Sequence, residues 1–403
     1  MGLRTPALAA AAALVLAACG GGGDDTGGAP ADSAKAGGAE TAAADTGAGA
    51  STSGQTAATV TDNGPKANVP PNEMGRIMVL EYHRIGDNEG EFVRSLTHFR
   101  QDLQSLYEKG YRPITMRDVI DGNINVPAGT TPVVFTFDDS TQGQFYYLPN
   151  GQIDPNTMVG SWAAFKERNP GWANGAVWCI LPAAQHPSNF FSEKKDRDFA
   201  SREERESNIR KKVTWLVDNG HEICNHTYYH ARLDRAKDDQ QAQDWIGFGE
   251  DSIKAYLPQG YDIVTFALPL GMWPKNRALA WQGRTSRGTT YDNKVVLEVS
   301  GGPNVPPWDK DWNAHSVDRF IVAPGALERQ LAFWERDPSN RFVSDGDPNT
   351  ITVPQRMESR LERSRVGNRQ VKVVPDAAPA AAPAAGGATG QAATPGGTNT
   401  GGR

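Results

Sequence analysis

The chain has 403 residues, with 41 Lys and Arg set against 47 Asp and Glu for a formal charge of −6. A mildly acidic chain without a Lys/Arg block has no electrostatic grip on phosphate backbones, which excludes nucleic acid as a partner. Three cysteines are too few for a disulfide scaffold, and no segment beyond the N-terminus is long and apolar enough to span a bilayer.

In chain order, Arg4 precedes an apolar run from Ala7 to Ala18 that is too short for a spanning helix and ends in small residues, as a secretory signal does. Leu16-Ala17-Ala18-Cys19 followed by Gly20 resembles the lipobox of bacterial lipoproteins. That resemblance implies lipidation of Cys19, a membrane anchor and an extracytoplasmic, cell-envelope location. Residues 20–72 are Gly, Ala, Ser, Thr, Asp and Pro with almost nothing large and apolar, and are expected to form a flexible linker. All 10 Trp fall between Glu73 and Asp376, which marks the folded part: a catalytic domain at 73–345 and an extension at 346–376. Residues 377–403 return to the Ala/Pro/Gly composition of a disordered tail.

Within the folded part, Ile77–Tyr82 reads as a buried strand. Leu96, Phe99, Leu103 and Leu106 then recur at helical spacing, with Gly110 where a C-terminal cap belongs. Thr131–Phe137 is a second buried strand, and a helix is expected around Val159–Glu167. Val177–Leu181 is the next strand. A charged amphipathic helix follows at Glu203–Asn219, closed by Gly220; then come a strand at His221–Asn225, a helix near Gln240–Tyr256 and a strand at Asp262–Leu268. Strands alternating with helices indicate βαβ units and a parallel sheet, with chemistry gathered beyond the C-terminal strand ends. Cys179 and Cys224 sit in two of these strands and are either a disulfide or two buried thiols.

Two motifs stand at such strand ends. Thr136-Phe137-Asp138-Asp139-Ser140 puts adjacent carboxylates after an apolar run, where a buried acid without a partner would be costly. His226-Thr227-Tyr228-Tyr229-His230 spaces two imidazoles four apart. One carboxylate and two imidazoles make a ligand set that leaves positions open on a divalent metal, and the second carboxylate remains as a base. The combination points to metal-assisted hydrolysis.

These motifs resemble the first and second motifs of the polysaccharide deacetylase family, the NodB-type carbohydrate esterases, and the likeness extends over about Ile77–Ala323. Tyr82-His83-Arg84-Ile85 resembles the opening segment of the bacterial branch that includes poly-N-acetylglucosamine deacetylases. Phe266-Ala267-Leu268-Pro269-Leu270-Gly271 resembles the third motif, usually Arg-x-Pro-Tyr. The resemblance implies an α/β fold, a distorted or incomplete (β/α) barrel. It also implies a divalent metal, zinc first among the transition metals, held by Asp139, His226 and His230, with Asp138 as catalytic base. The substrate implied is an acetylated polysaccharide. Ala267 stands where the family has arginine and Leu270 where it has tyrosine, and the late Leu-x-His motif that supplies the general acid is not recognisable. His83 is a candidate acid, Leu270 and His315 are candidate oxyanion or substrate contacts, and Trp308 is a candidate sugar platform along with Phe145, Tyr146, Tyr147, Trp273 and Trp312. The departures leave a glycan-binding lipoprotein of the same fold as the alternative reading.

Overall fold

The computed structural model describes residues 62–173, 175–186, 188–192 and 199–376. The signal-like segment with Cys19, the linker up to residue 61 and the tail from residue 377 lie outside the described residues. The elements run β1 (Met78–Tyr82), β2 (Arg84–Ile85), β3 (Val93–Arg94), α1 (Leu96–Glu108), β4 (Tyr111–Ile114), α2 (Met116–Ile120), β5 (Thr131–Phe137), α3 (Met158–Arg168), β6 (Ala176–Ile180) and α4 (Arg202–Asp218). They continue with β7 (Glu222–Asn225), α5 (Asp239–Lys254), β8 (Thr265–Ala267), β9 (Gln282–Arg284), β10 (Thr290–Asp292), β11 (Val295–Leu297), β12 (Phe320–Ile321), α6 (Ala326–Arg336), β13 (Thr350–Pro354) and β14 (Gln370–Val374). Helix starts follow the capping rule: Ser95, Thr157, Ser201 and Asp238 each accept an N–H from the first turn of α1, α3, α4 and α5. Gly110, at φ 80°, ends α1 because a Cβ there would meet the Ala67 nitrogen at 2.5 Å.

The main sheet runs β11-β8-β7-β6-β5-β1-β12, with β4 beside β5, and every pairing in it is parallel. β4 pairs with the first half of β5 and β6 with the second half. The two edges of the sheet are joined by the segment leading into β12. Val317 exchanges backbone bonds with Val296 and Glu298 beside β11, and Phe320 then pairs with Leu80 of β1. The sheet thus curls into the distorted (β/α) barrel expected from the sequence.

Alternation along the strands decides what faces inward. Met78, Leu80 and Tyr82 of β1, Val133, Phe135 and Phe137 of β5, and Trp178 of β6 pack outward against the helices. There Trp178 stacks on Phe137 at 4.1 Å, and burying rings of this size contributes roughly 2–3 kcal/mol each. Val79, Val134, Val177, Cys179, Cys224, Ala267, Val295 and Leu297 form the other layer, inside the barrel. Extending the same parity toward the C-terminal strand ends brings Glu81, Thr136, Asp138 and His226 inward. The barrel is therefore apolar below and charged above. Cys179 and Cys224 are register partners on β6 and β7 and are joined as a disulfide, which settles the alternative left open by the sequence.

The opposite end is closed by the C-terminal extension. β13 and β14 pair in parallel, and Ile351, Val353, Met357 and Leu361 join the interior layer. Thr131 Oγ1 donates to the Phe342 carbonyl at the start of β5, which fixes this closure to the end away from the aspartates. Residues 62–72, read from composition as the end of the linker, lie against the body. Asp62 pairs with buried Arg112 (2.6 Å), and the Ala67 N–H donates to the Gly129 carbonyl. Among the described residues no helix is long and apolar enough to cross a membrane.

Candidate active site

Three strand ends meet at one rim. Beyond β5, the Asp138 N–H donates to the Tyr82 carbonyl (2.9 Å), and the chain then breaks through Asp139 (φ 77°) and Ser140 (φ 45°). Ser140 Oγ accepts from the Leu181 N–H, and its carbonyl accepts from Ser188 Oγ and the Phe191 N–H, which pins the turn. Beyond β7, Asn225 Oδ1 accepts from the Thr227 N–H and Thr227 Oγ1 accepts from the Ala231 N–H; Thr227 and His230 stand at φ 67° and 63°. Beyond β8, Leu270 stands at φ 57°. Left-handed backbone costs side-chain-bearing residues on the order of 1 kcal/mol or more each, and it persists where surrounding bonds over-determine it.

These turns bring the predicted ligands together. Asp139 Oδ1 lies 3.7 Å from His226 Nε2 and 3.6 Å from His230 Nε2. His226 Nδ1 is 2.9 Å from the Ala267 carbonyl, which assigns the ring proton to Nδ1 and turns the Nε2 lone pair toward Asp139. Asp139 Oδ1 and His226 Nε2 are both buried without a hydrogen-bond partner among the described residues. Two buried acceptors facing each other are unfavourable unless something positive lies between them. Donors about 2.1 Å from one ion stand about 3.5 Å apart in a tetrahedral shell, so the spacing fits a divalent cation. Burial opposes the Asp139 charge, but His226, His83 and His230 hold its carboxyl below the ordinary value. Burial, with His226 alongside, takes His230 down to about 4. An ionised carboxylate and a neutral imidazole are the protonation states a metal needs. Burial works against a charge on His226 too, yet Asp138 and Asp139 draw its pKa up, so this point favours positive charge.

A second group sits beside the first. Arg319, on the strand-like segment between Val317 and β12, is fully buried and forks onto Asp138: Nη1–Oδ1 2.7 Å and Nη2–Oδ2 2.8 Å. Its Nε is 3.1 Å from Glu81 Oε2 and also donates to the Glu298 carbonyl, and its Nη1 reaches Thr136 Oγ1 at 3.2 Å. Burial would raise the Asp138 pKa, but Arg319, His226 and His83 outweigh it and keep the carboxylate ionised. Glu81 goes the other way: burial raises its pKa well above the ordinary value despite Arg319, and Asp138 pushes it further. His83 Nε2 lies 3.4 Å from Glu81 Oε1, and burial lowers the imidazole's pKa.

Asp138, Asp139, His226, His230, His83 and Leu270 line one cavity of about 400 Å³, shared with Arg84, Phe92, His186 and Val299. His315 and the expected sugar platforms are not among the lining residues. Trp308 is 3% exposed, and its Nε1 donates to the Glu73 carbonyl within the layer that closes the far barrel end, so it is no sugar platform. The Pro-rich composition around it signals an exposed loop, but the turn near Leu361 covers that loop through bonds from Glu362 N–H to Trp308 and from Lys310 N–H to Arg360. His315 stacks on Trp281 at 4.5 Å and is not among the residues lining the cavity, which argues against it as a substrate contact. Phe145 is also core, at 0% exposure. Arg319, Glu81, Phe92 and His186 escape the sequence reading. For Glu81 a signal existed, an acid at an inward position of Met78–Tyr82; for Arg319 it was only the alternation from Val317 across a two-residue strand.

A polysaccharide deacetylase family model matches residues 178–283, a span that holds His226, His230 and the Leu270 turn. The resemblance read from the motifs is borne out there. No curated protein matches the chain. Among solved structures, the chain is similar to a polysaccharide deacetylase from Bacillus cereus at 16% identity, TM-score 0.44, covering 64% of this chain and 68% of that one. It is similar to the Streptococcus pyogenes deacetylase PplD in complex with acetate at 17% identity, TM-score 0.44, covering 64% and 97%. It is likewise similar to IcaB from Ammonifex degensii at 18% identity, TM-score 0.43, covering 66% and 99%.

Proposed function

With the polysaccharide deacetylase match over residues 178–283 as premise, we propose that this protein removes acetyl groups from an acetylated polysaccharide of the cell envelope or its surroundings. N-acetylglucosamine units are the preferred target. The observation that carries the reading is the convergence of Asp139, His226 and His230, with two orphaned buried acceptors, on the cavity that also holds Asp138 under Arg319. A bound divalent metal, zinc by its fit to one carboxylate and two imidazoles, would acidify a water molecule and polarise the acetyl carbonyl.

The chain's own groups do the rest. Asp138, kept ionised and aimed by the Arg319 fork, takes a proton from the attacking water as its oxygen bonds to the acetyl carbon. The turn at Leu270 provides the oxyanion contact. His83, in the cavity wall, gives a proton to the departing sugar nitrogen as the C–N bond breaks, and Glu81, whose carboxyl burial keeps protonated beside the His83 ring, replaces it. The products are acetate and a free amine. A lipid anchor at Cys19, with residues 20–61 as a tether, would hold the catalytic barrel outside the cytoplasm, and the Cys179–Cys224 disulfide is in keeping with an oxidising compartment.

The test is acetate release from N-acetylglucosamine oligomers, with elemental analysis alongside. Wild type should bind about one equivalent of divalent metal and release acetate, chelation should stop it, and Asp138→Asn should keep the metal while losing about 10³-fold or more in rate. Metal-loaded wild type that releases no acetate from acetylated glycans defeats the reading in favour of a glycan-binding module.

A further inference from the structure

The His226–His230 turn has a second side. Its imidazoles face the cavity described above, while two of the three residues between them, Tyr228 and Tyr229, line a separate groove of about 390 Å³ against α5, within the size range of small-ligand sites. The helix contributes Gln241, Trp245 and Phe248, spaced four and three apart and so on one face. The opposite face, with Ala242, Ile246, Gly249 and Ile253, is buried in the body. An amphipathic surface helix ordinarily turns polar side chains to solvent; this one carries an indole and a phenyl ring. The rings meet edge to face: Tyr229 with Trp245 at 5.6 Å, Tyr228 with Tyr229 at 6.0 Å and Tyr228 with Phe248 at 6.3 Å. Tyr229 is 39% exposed. Lys237 adds a donor at the rim, and the Tyr228 N–H, bonded to the Trp245 carbonyl, ties the two walls together.

We propose that this groove is a binding site for a neutral pyranose unit of the polymer, distinct from the unit being deacetylated. The Trp245 and Tyr229 ring faces take the C–H face of a sugar, Arg287 already lying over the Phe248 ring at 4.2 Å, and amide, amine and guanidinium groups at the edge take its hydroxyl and acetamido oxygens. Continuity argues for the polymer as occupant, since one five-residue turn serves both the reacting unit and the groove. The proposal rests on the deacetylase reading for its substrate, and the experiment separates the two.

Metal-loaded Asp138→Asn protein, which does not turn substrate over, is titrated calorimetrically with N-acetylglucosamine dimer and hexamer. The hexamer should bind at least tenfold more tightly than the dimer. Adding Trp245→Ala should abolish that preference while leaving dimer affinity unchanged. Because Trp245 is half-buried, a surface pair, Lys237→Ala with Gln241→Ala, is measured in parallel and should weaken the hexamer about threefold. Equal hexamer affinity across the groove variants overturns the proposal, as does a hexamer that binds no better than the dimer, even if wild type proves an active deacetylase. Absence of acetate release from every oligomer instead overturns the catalytic reading and leaves the binding comparison standing as the judge of the groove.

Discussion

Two clusters of acids and imidazoles lie side by side at the top of the barrel, built from the same residue types and solved differently. Glu81, His83 and Asp138 are organised around Arg319, whose guanidinium supplies the positive charge that the buried Asp138 carboxylate requires and also reaches the protonated Glu81 carboxyl. Asp139, His226 and His230 converge as closely, yet among the described residues no Lys or Arg pairs with them, and Asp139 Oδ1 and His226 Nε2 are buried without hydrogen-bond partners. A covalently attached cation fixes one carboxylate in place and in charge, as a base needs. On the proposed reading, the second cluster is a slot for a diffusible cation and would keep a coordination position for water. The contrast shows how adjacent aspartates acquire unlike roles: left-handed backbone at Asp139 turns its side chain from the guanidinium group toward the imidazoles.

The largest expected effect breaks the Arg319 cluster. Arg319→Met strands Asp138 and Glu81 in the interior and should lower stability by about 3–5 kcal/mol, with acetate release falling roughly 10³-fold or more as the base loses its aim. Arg319→Lys, which keeps the charge without the fork, should fall between. Metal content by elemental analysis should hold in folded Arg319→Lys; a parallel loss of metal would mean the two clusters are one unit. Next in size, His83→Gln should slow N-acetyl hydrolysis roughly 100-fold. It should scarcely affect an aryl acetate, whose leaving group needs no proton, and equal losses on both substrates would remove His83 as the acid.

The smallest effect concerns another buried imidazole, His221, outside both clusters. His221 is packed among Trp162, Trp178 and Trp215 and accepts the Ala176 N–H at Nδ1. Burial, helped by Lys166, takes its pKa down to about 3. The unfolded chain takes up a proton below about 6.5 while the folded one resists until about 3, so stability held above pH 6.5 drains away as pH falls through that window. Urea midpoints at pH 7.5 and 4.5 should show a loss on the order of 2 kcal/mol in wild type and a much flatter profile in His221→Asn. An unchanged slope would place the acid sensitivity elsewhere.

How far the fold could be read in advance depended on burial. Strands buried on both faces, such as Thr131–Phe137, stand out as unbroken apolar runs, and the expected span coincides with β5. Helices α1, α3, α4 and α5 lie where helices were expected, α1 and α4 with their closing glycines, whereas α6, as long as α3, was not read. β4 did not, because Tyr111–Ile114 is short and carries Arg112 and Pro113; nor did β12, two residues long, which completes the ring. The metal set was legible because its members sit in two compact motifs. Arg319 was not, since its partners lie 181 and 238 residues upstream and only closure of the ring brings them together. Trp308 was misjudged for a related reason: a loop's composition says nothing about a distant segment folding over it.

The left-handed turns carry a lesson for anyone hoping to harden this protein against heat. Five side-chain-bearing residues at the rim, Asp139, Ser140, Thr227, His230 and Leu270, occupy backbone that glycine would accept more comfortably. A search guided by thermal survival alone would be drawn to those positions, and relaxing them would dismantle the geometry the chemistry depends on. Tolerance should instead be sought in the outward layer and the C-terminal closure, where comfort and usefulness do not compete.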